Sequence, residues 1–130
     1  MQSKPETALY EYAVIRYVPS IEREEFVNIG LAMMCKRRRW IRVEIRIPAK
    51  RVMAFDVSHT IDEIEWAARA LADVAMGKKE AGPIALLPVE ERFRWLTAAK
   101  SAAVQTSRPH PGKCVDLDAC FDRMFAELVS

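Results

Sequence analysis

Three apolar runs of strand length follow one another within residues 9–47 and are separated only by short charged segments. The first, over 9–18, is rich in Tyr, Val and Ile and ends at Pro19, whereas the second covers 26–36. Aromatic and β-branched residues favour strands, and a proline seldom lies inside one. The stretch therefore predicts an antiparallel sheet on which everything after Pro48 packs.

In the third run, apolar and charged residues alternate. The apolar ones are Ile41, Val43, Ile45 and Ile47, and the charged ones between them are Arg42, Glu44 and Arg46. Successive side chains of a strand point to opposite faces, so we expect the apolar set to face the core. Arg42, Glu44 and Arg46 would then face solvent or a partner. A slip of one residue would place four branched aliphatic side chains in water, so this register is firmly set. The second run does not alternate, which is typical of a central strand covered on both faces.

Helix signals occupy the second half of the chain. Thr60 and Glu63 form a capping-box pattern that begins a helix, and Gly77 with the two lysines after it ends that helix. Asp116 or Asp118 caps the last helix. Each helix, including one that starts after Pro88, carries an apolar stripe at three- and four-residue spacing. The stripes are Ile61, Ile64, Ala68, Leu71 and Val74; Val89, Phe93 and Leu96; and Leu117, Cys120, Phe121, Met124, Phe125 and Leu128.

Shorter segments complete the expected fold. Residues 49–57 predict a helical turn that docks Val52, Met53 and Phe55, and residues 102–107 predict a fourth strand. Residues 108–112 predict a loop, because two prolines and a glycine disfavour regular structure. Strands first, with helices after and between, indicate an α+β fold: an antiparallel sheet of three or four strands packed against two or three helices. We expect a single domain over 9–130 after a disordered tail at 1–8.

Composition narrows the class of function. The chain is 51% hydrophobic and 29% charged, which is typical of a globular protein, and its formal charge is only +2. That near balance disfavours bulk attraction to nucleic acid or to an anionic membrane. Three cysteines, no signal peptide and no membrane-length apolar run predict a cytoplasmic protein with reduced thiols. Four glycines with no Gly-rich loop give no sign of a phosphate-bearing cofactor.

Two segments carry a family resemblance: Glu-Tyr-Ala-Val-Ile-Arg-Tyr at 11–17 and Arg-Glu-Glu-Phe-Val-Asn-Ile-Gly at 23–30. They resemble the bacterial family called domain of unknown function 3037, and the resemblance continues at 93–96, 105–112 and 117–125. The family brings no established activity and no assigned catalytic residues. What it implies is a context, since such genes often lie beside one encoding a HipA-like kinase protein. The resemblance therefore suggests a two-component system of the toxin–antitoxin type. Adjacency is an association and does not demonstrate contact.

Asn28 and Gly30 interrupt an apolar strand. A glycine there indicates a bulge or a close approach of backbones, and a buried Asn needs partners for its amide. A structural role for both is favoured over contact with a ligand. Arg16 and Glu25 lie close to this interruption in sequence, and as a pair they are expected to form an ion pair rather than a catalytic dyad.

His110 lies between two prolines, with Ser107 before it. Loops often carry functional groups and histidine titrates near neutral pH, but a triad needs geometry that spacing cannot show. A histidine without a chemical role is therefore the favoured interpretation. Together with Cys114 and Cys120 it suggests zinc, which we reject because five residues separate the two cysteines and Cys120 belongs to an apolar stripe. We expect no metal.

Arg37, Arg38 and Arg39 precede Trp40, and Arg42 and Arg46 continue the basic surface along the third strand. Basic residues beside an aromatic residue can contact nucleic acid or a partner. A run of this length in a nearly neutral protein is more often a solvated turn, so nucleic acid is disfavoured.

Two hypotheses follow from these patterns. The first is a protein-interaction or accessory module that acts with a HipA-like kinase, with the charged face of the third strand as a contact surface. The second is a small enzyme or nucleic-acid-acting domain that uses Arg16, Glu25, Asn28, Arg94 and His110. It requires these five side chains to meet in one pocket. A homodimer through an edge strand is compatible with both.

Overall fold

The computed structural model describes residues 6–20, 22–56, 58–99 and 103–129. Within them the chain forms five strands and four α-helices, and two short 3-10 helices, Lys79–Ala81 and Pro83–Leu86, precede the third α-helix. The strands are β1 Ala8–Ser20, β2 Glu25–Cys35, β3 Trp40–Ile45, β4 Val104–Thr106 and β5 His110–Cys114. The α-helices are α1 Ala49–Phe55, α2 Ile61–Ala75, α3 Val89–Ala98 and α4 Leu117–Leu128.

All five strands form one antiparallel sheet in the order β3-β2-β1-β4, and β5 also pairs with β1. With 13 residues, β1 is long enough for β4 to pair near its end and β5 near its beginning. The α+β class with an antiparallel sheet is confirmed, with one strand and one helix more than expected. Pro19 lies inside β1 rather than ending it, where the pairing with β2 is irregular between Tyr17 and Ser20.

The prediction of a loop over 108–112 is wrong, because His110, Pro111 and Gly112 belong to β5. A proline cannot donate to a strand ladder, but a strand at the sheet edge has one side that needs no such bond. Gly112 also has a packing reason, since a Cβ there would lie 2.4 Å from the Tyr10 hydroxyl. The missing side chain lets the Tyr10 ring cover the strand.

Apolar clusters lie on both faces of the sheet. From β1, Ala13, Ile15 and Tyr17 enter a cluster with α1, α2 and α3, whereas Ala8 and Val14 enter a second cluster with α4. Every residue of β2 from 29 to 35 is buried. The expected central position of the second strand is therefore confirmed, and the sheet is the middle layer of three.

A bulge beside Gly30 determines which residues of β2 enter each cluster. Gly30 pairs with Ile15 and Asn28 with Arg16, so Ile29 is the extra residue that shifts the alternation. A Cβ on Gly30 would lie 2.8 Å from the Glu44 carbonyl oxygen, so the neighbouring strand also requires a glycine here. The bulge and the close approach of backbones, predicted from sequence as alternatives for Gly30, are both present.

The predicted register of β3 holds. Ile41, Val43 and Ile45 contact the cluster beneath α2, and Val43 is buried. The opposite side of β3 is not simply solvated, because α4 covers part of it. The Arg42 guanidinium lies 4.3 Å from the centre of the Phe121 ring, and only 24% of its side chain is exposed.

Helix ends follow the expected signals. The Thr60 hydroxyl accepts a hydrogen bond from the Glu63 N–H (3.1 Å), and Asp116 rather than Asp118 caps α4. Gly77 has a φ of +79°, and beside it Arg92 donates to the Ala75 carbonyl at the end of α2 (3.2 Å).

The shorter segments differ more from expectation. Val52 is buried and Phe55 is partly buried, but Met53 is 45% exposed, so its predicted docking is wrong. A helix of seven residues presents one narrow face to the core, and Met53 lies next to that face rather than on it. The fourth strand is present but short. Residues 1–5 of the expected tail, Val57 and Ala102 lie outside the described residues.

Ser107 joins β4 to β5. Its N–H donates to the Val14 carbonyl (2.8 Å), and its hydroxyl accepts from the Val14 N–H (2.9 Å). The same hydroxyl donates to the Arg108 carbonyl (3.1 Å), and the residue is buried. The Ser107 hydroxyl thus accepts the hydrogen bond of the Val14 N–H at the point between β4 and β5 where, among the described residues, no strand carbonyl faces it.

We expect Ser107→Ala to destabilise the fold by about 1–3 kcal/mol, because it leaves the buried Val14 N–H unpaired. Urea unfolding followed by circular dichroism measures the change. Thr7→Ala, which removes an exposed hydroxyl, is the control and should change stability by less than about 0.5 kcal/mol. Equal midpoints for the two variants would show that the Ser107 hydroxyl does not support the sheet.

Candidate functional site

A cleft of about 470 Å³ lies between α3 and the end of the sheet where β1 begins. Met34 from β2 and Phe93 from α3 contribute apolar surface, and Pro109 and Pro111 contribute more from the β5 side. The cleft exists because α3 packs on β2 and β4 but leaves the first residues of β1 uncovered. Its remaining lining residues are Leu9, Tyr10, Glu11, Lys36, Glu90, Arg94, Thr97 and Gly112.

Two further depressions adjoin this cleft. One lies between the β2–β3 turn and the start of α3, and it shares Lys36 and Glu90 with the cleft. The other shares Leu9 and Lys36 with it and adds Thr7 and Arg37. We call the three together the α3 groove. Lys36, the first residue of the turn after β2, lines all of them.

Leucines with large exposed fractions concentrate in the α3 groove. Leu9 is 70% exposed, Leu86 68% and Leu87 41%. Single exposed apolar residues are ordinary, but several that line one concave surface indicate a binding site. The leucines come from the start of β1 and from the segment that leads into α3, so no single sequence motif identifies them as a group.

The charges of the α3 groove are mostly positive. Five cationic side chains and two carboxylates line it, an excess of three positive charges in a chain whose formal charge is +2. Arg37 pairs with Glu6 (3.4 Å) and Arg94 with Glu91 (3.0 Å). Within the described part of the chain, neither Lys36 nor Arg39 has an ion-pair partner. An anionic ligand would therefore meet two unpaired cations.

Of the residues predicted from sequence, Arg94 lies in the α3 groove, whereas Arg16 and Asn28 lie on the opposite face of the sheet. The Asn28 amide donates to the Leu128 carbonyl at the end of α4 (3.0 Å). The Arg16 guanidinium stacks 3.9 Å above the Phe26 ring, and burial lowers the pKa of Arg16. Asn28 thus ties β2 to the end of α4, whereas Arg16 packs on β2 and its buried Nε makes no hydrogen bond to any described residue.

Neither Glu25 nor His110 forms an ion pair or hydrogen bond with Arg16 or Asn28 in the described ranges. Glu25 pairs with Arg23 (3.1 Å) in the exposed hairpin between β1 and β2 rather than with Arg16. His110 shares a face of the sheet with Asn28, but it packs against Tyr12, with the ring centres 5.2 Å apart and the ring planes tilted by 32°. Tyr12 and Arg16, the β1 partners of His110 and Asn28, are four residues apart, or about 13 Å. The five residues of the enzyme hypothesis do not meet in one pocket.

The basic surface predicted around the β2–β3 turn divides into separate parts. Arg38 donates to the carbonyls of Val115 (3.1 Å) and Glu6 (2.9 Å), and Trp40 packs against the cluster beneath α4. Arg37 and Arg39 line the α3 groove, whereas Arg46 is exposed beyond the end of β3. The run is therefore partly structural and does not form one continuous cationic stripe.

Arg42 is the most highly connected member of that surface. It forms ion pairs with Glu44 (2.8 Å), Asp118 (3.1 Å) and Asp122 (2.8 Å) and so ties β3 to α4. Burial acts to lower the pKa of Arg42, but hydrogen bonds to Glu44 and Asp122 outweigh it and raise that pKa. The guanidinium is a permanent cation that positions a helix.

One polar cluster could not be found by sequence reasoning. The hydroxyl of the buried Tyr17 lies 3.1 Å from Asp56 Oδ1 and 3.1 Å from His59 Nδ1. Ser58 donates its N–H (2.7 Å) and its hydroxyl to the same Asp56 oxygen. The Asp-x-Ser pattern is a turn signal, but nothing connects it in sequence with a tyrosine 39 residues away. The cluster ties β1 to the link between α1 and α2.

The cysteines are placed for packing. The Cys120 Sγ lies 3.6 Å from the Tyr10 hydroxyl oxygen beneath α4, and burial raises the pKa of Cys114 to about 11, with Cys120 adding to the effect. A thiol with so high a pKa stays protonated at neutral pH and is a poor nucleophile. In the described ranges no group of three or more His, Cys, Asp or Glu residues is placed to hold a metal ion. None of the helices described has the length and apolar character needed to cross a membrane.

Comparison with known proteins gives one match. The sequence profile of the family described as "Protein of unknown function (DUF3037)" matches residues 12–129, nearly the whole chain. No curated protein and no solved structure matches the sequence. The matched range includes β2, α3 and most of β1, which form much of the α3 groove, but stops short of Leu9.

The Tyr17–Asp56 cluster generates a prediction about acid stability. Hydrogen bonds from Ser58 hold the pKa of Asp56 below its ordinary value. A carboxylate with a lowered folded-state pKa stabilises the fold above its unfolded pKa of about 4, and this contribution is lost as the pH falls through the folded value. We therefore expect Asp56→Asn to flatten the loss of stability below about pH 4 relative to the wild type.

Thermal unfolding midpoints between pH 2 and 7 measure this effect. Asp62→Asn, at an exposed position in the first turn of α2, is the matched control and should leave the acid limb steep. Identical pH profiles for wild type and Asp56→Asn would contradict the assigned role of the carboxylate.

Proposed function

We propose that this chain, which belongs to the family described as "Protein of unknown function (DUF3037)", is a protein-interaction module that binds a partner's segment in the α3 groove. The observation that carries the proposal is the placement of three exposed leucines beside two cations that have no ion-pair partner in the described structure. A small apolar cleft with a charged rim is typical of sites that hold an anchoring side chain.

The chemistry of the α3 groove defines the occupant. The cleft offers Met34 and Phe93 as apolar contacts, and a volume of about 470 Å³ accommodates one or two large aliphatic or aromatic side chains. Lys36 and Arg39 lie where carboxylates flanking such an anchor could pair with them. The fitting partner is therefore an acidic segment that carries an exposed apolar residue.

The family resemblance supplies a first candidate for that partner. It implies a gene neighbour that encodes a HipA-like kinase protein, so an acidic surface segment of that protein is the occupant to test. This chain is then an accessory subunit that recognises its partner in the groove and carries out no chemical step of its own. The enzyme hypothesis gains no support, since Arg94 lies across the sheet from Arg16, Asn28 and His110.

Binding of the co-expressed HipA-like protein, measured by isothermal titration calorimetry, tests the proposal. We expect Leu86→Asp and Lys36→Glu each to weaken binding about tenfold or more, since the first places a charge at the apolar surface and the second reverses a recognition charge. The wild-type affinity should also fall as salt rises, because the exposed cations of the groove are screened.

Two control variants lie outside the groove. Lys50→Glu on α1 makes the same charge change, and Trp66→Asp on α2 places the same charge at a more exposed apolar residue. Both should bind like the wild type. Failure to form a complex at micromolar concentration in gel filtration, or equal weakening by groove and control variants, would rule out the proposal.

A further inference from the structure

The sheet has one edge that no described element pairs with. β3 ends the strand order and is bonded only to β2. The opposite edge is divided between β4 and β5, and it carries Pro109 and Pro111, which discourage the addition of another strand. β3 has no proline and runs for six residues, so it is the edge that can accept a further strand.

The pairing with β2 determines which backbone groups of β3 point outward. Arg46 donates its N–H to the Ile29 carbonyl (2.7 Å), so the hydrogen-bonded positions of this ladder are 46, 44, 42 and 40. The alternate residues Ile41, Val43 and Ile45 therefore direct their N–H and C=O groups away from β2. Among the described residues these groups have no other backbone partner.

We propose that β3 pairs with β3 of a second copy of this chain, antiparallel and about a two-fold axis at Val43, which joins two five-stranded sheets into one. In this register Ile41 lies opposite Ile45 of the second copy, and both present their outward backbone groups to each other. Arg42 lies opposite Glu44 of the second copy. The next pair outward is Trp40 with the exposed Arg46, a cation beside an aromatic ring.

The charges select this register over its neighbours. Outward backbone groups can face each other only if the axis passes through a residue of β3. An axis at Arg42 would place the two Arg42 side chains against each other, and an axis at Glu44 would do the same for the two Glu44 side chains. Like charges directly opposite are unfavourable, and the axis at Val43 replaces them with two opposite-charge pairs.

The side chains are already placed for such pairing. Arg42 is held by Phe121, Asp118 and Asp122, so little conformational freedom remains to be lost. Glu44 bonds Arg42 of its own chain through Oε1 alone, and 44% of its side chain is exposed. Its second oxygen makes no hydrogen bond within the described structure and is free for Arg42 of the second copy. Residues 42 and 44 also occupy the closer type of antiparallel pair, with Cα atoms about 4.5 Å apart.

Sedimentation equilibrium between about 10 μM and 1 mM tests for the dimer, expected at twice 14.8 kDa. Glu44→Arg places arginine opposite Arg42 twice per dimer, and we expect it to raise the dimer dissociation constant about tenfold or more. Glu127→Arg, an equal charge change at an exposed site on α4, is the control and should leave the dissociation constant unchanged.

Amide hydrogen exchange by NMR tests the register without any variant. We expect the amides of Ile41, Val43 and Ile45 to gain protection as the wild-type concentration rises, with those of 42 and 44 protected throughout. A monomer at 1 mM would overturn the proposal, even if a different protein were found to bind the β3 edge. A dimer whose 41, 43 and 45 amides exchange freely, or that persists unchanged in a folded Glu44→Arg variant, would overturn it equally.

Discussion

Burial of β2 and of the middle of β1 on both faces of the sheet is the constraint on which the rest of the structure depends. A strand covered on both sides must supply apolar side chains to two clusters. Alternation alone achieves this for β2, and the bulge beside Gly30 shifts the alternation by one residue, so that Ile29 enters the same cluster as Ala32. Without that shift, Ile29 and Ala32 would point to opposite faces. The helices then have defined roles: α1, α2 and α3 cover one face, and α4 alone covers the other.

Patterns that are local in sequence were predictable from it. The alternation of Ile41, Val43 and Ile45 fixes the faces of β3, and the Thr60 and Asp116 caps mark the starts of two helices because a cap is made by neighbours three residues apart. Features that need partners from distant segments were not. β5 exists because β1 is long enough to accept it, and this length overrides the unfavourable composition of a segment with two prolines.

The same distinction holds for the candidate site. Arg94 and the turn residues Arg37 and Arg39 could be singled out by charge, but the groove that joins them with Leu9 and Leu86 is formed by the way α3 packs beside β1. Asn28 showed the reverse case. It interrupts an apolar strand and so attracts attention, yet its amide nitrogen donates to the Leu128 carbonyl, while its buried amide oxygen has no hydrogen-bond partner in the part of the chain that the structure describes. A polar residue in an apolar run indicates a constraint, and only the fold shows whether that constraint is structural.

Arg42 links the layer of α4 to the open edge of the sheet. The Arg42 side chain is largely covered, but its carboxylate partners are 44% to 67% exposed, so solvent screens the ion pairs and each contributes little to stability. An apolar residue at position 42 could not form the directional hydrogen bonds that orient the surrounding carboxylates. The Arg42 fork fixes Asp118 and Asp122 on α4 relative to Glu44 on β3. Because one guanidinium bonds all three carboxylates, a shift of α4 along the sheet would disturb the charges at the β3 edge, so the position of the helix and the charge pattern of that edge are coupled through a single side chain.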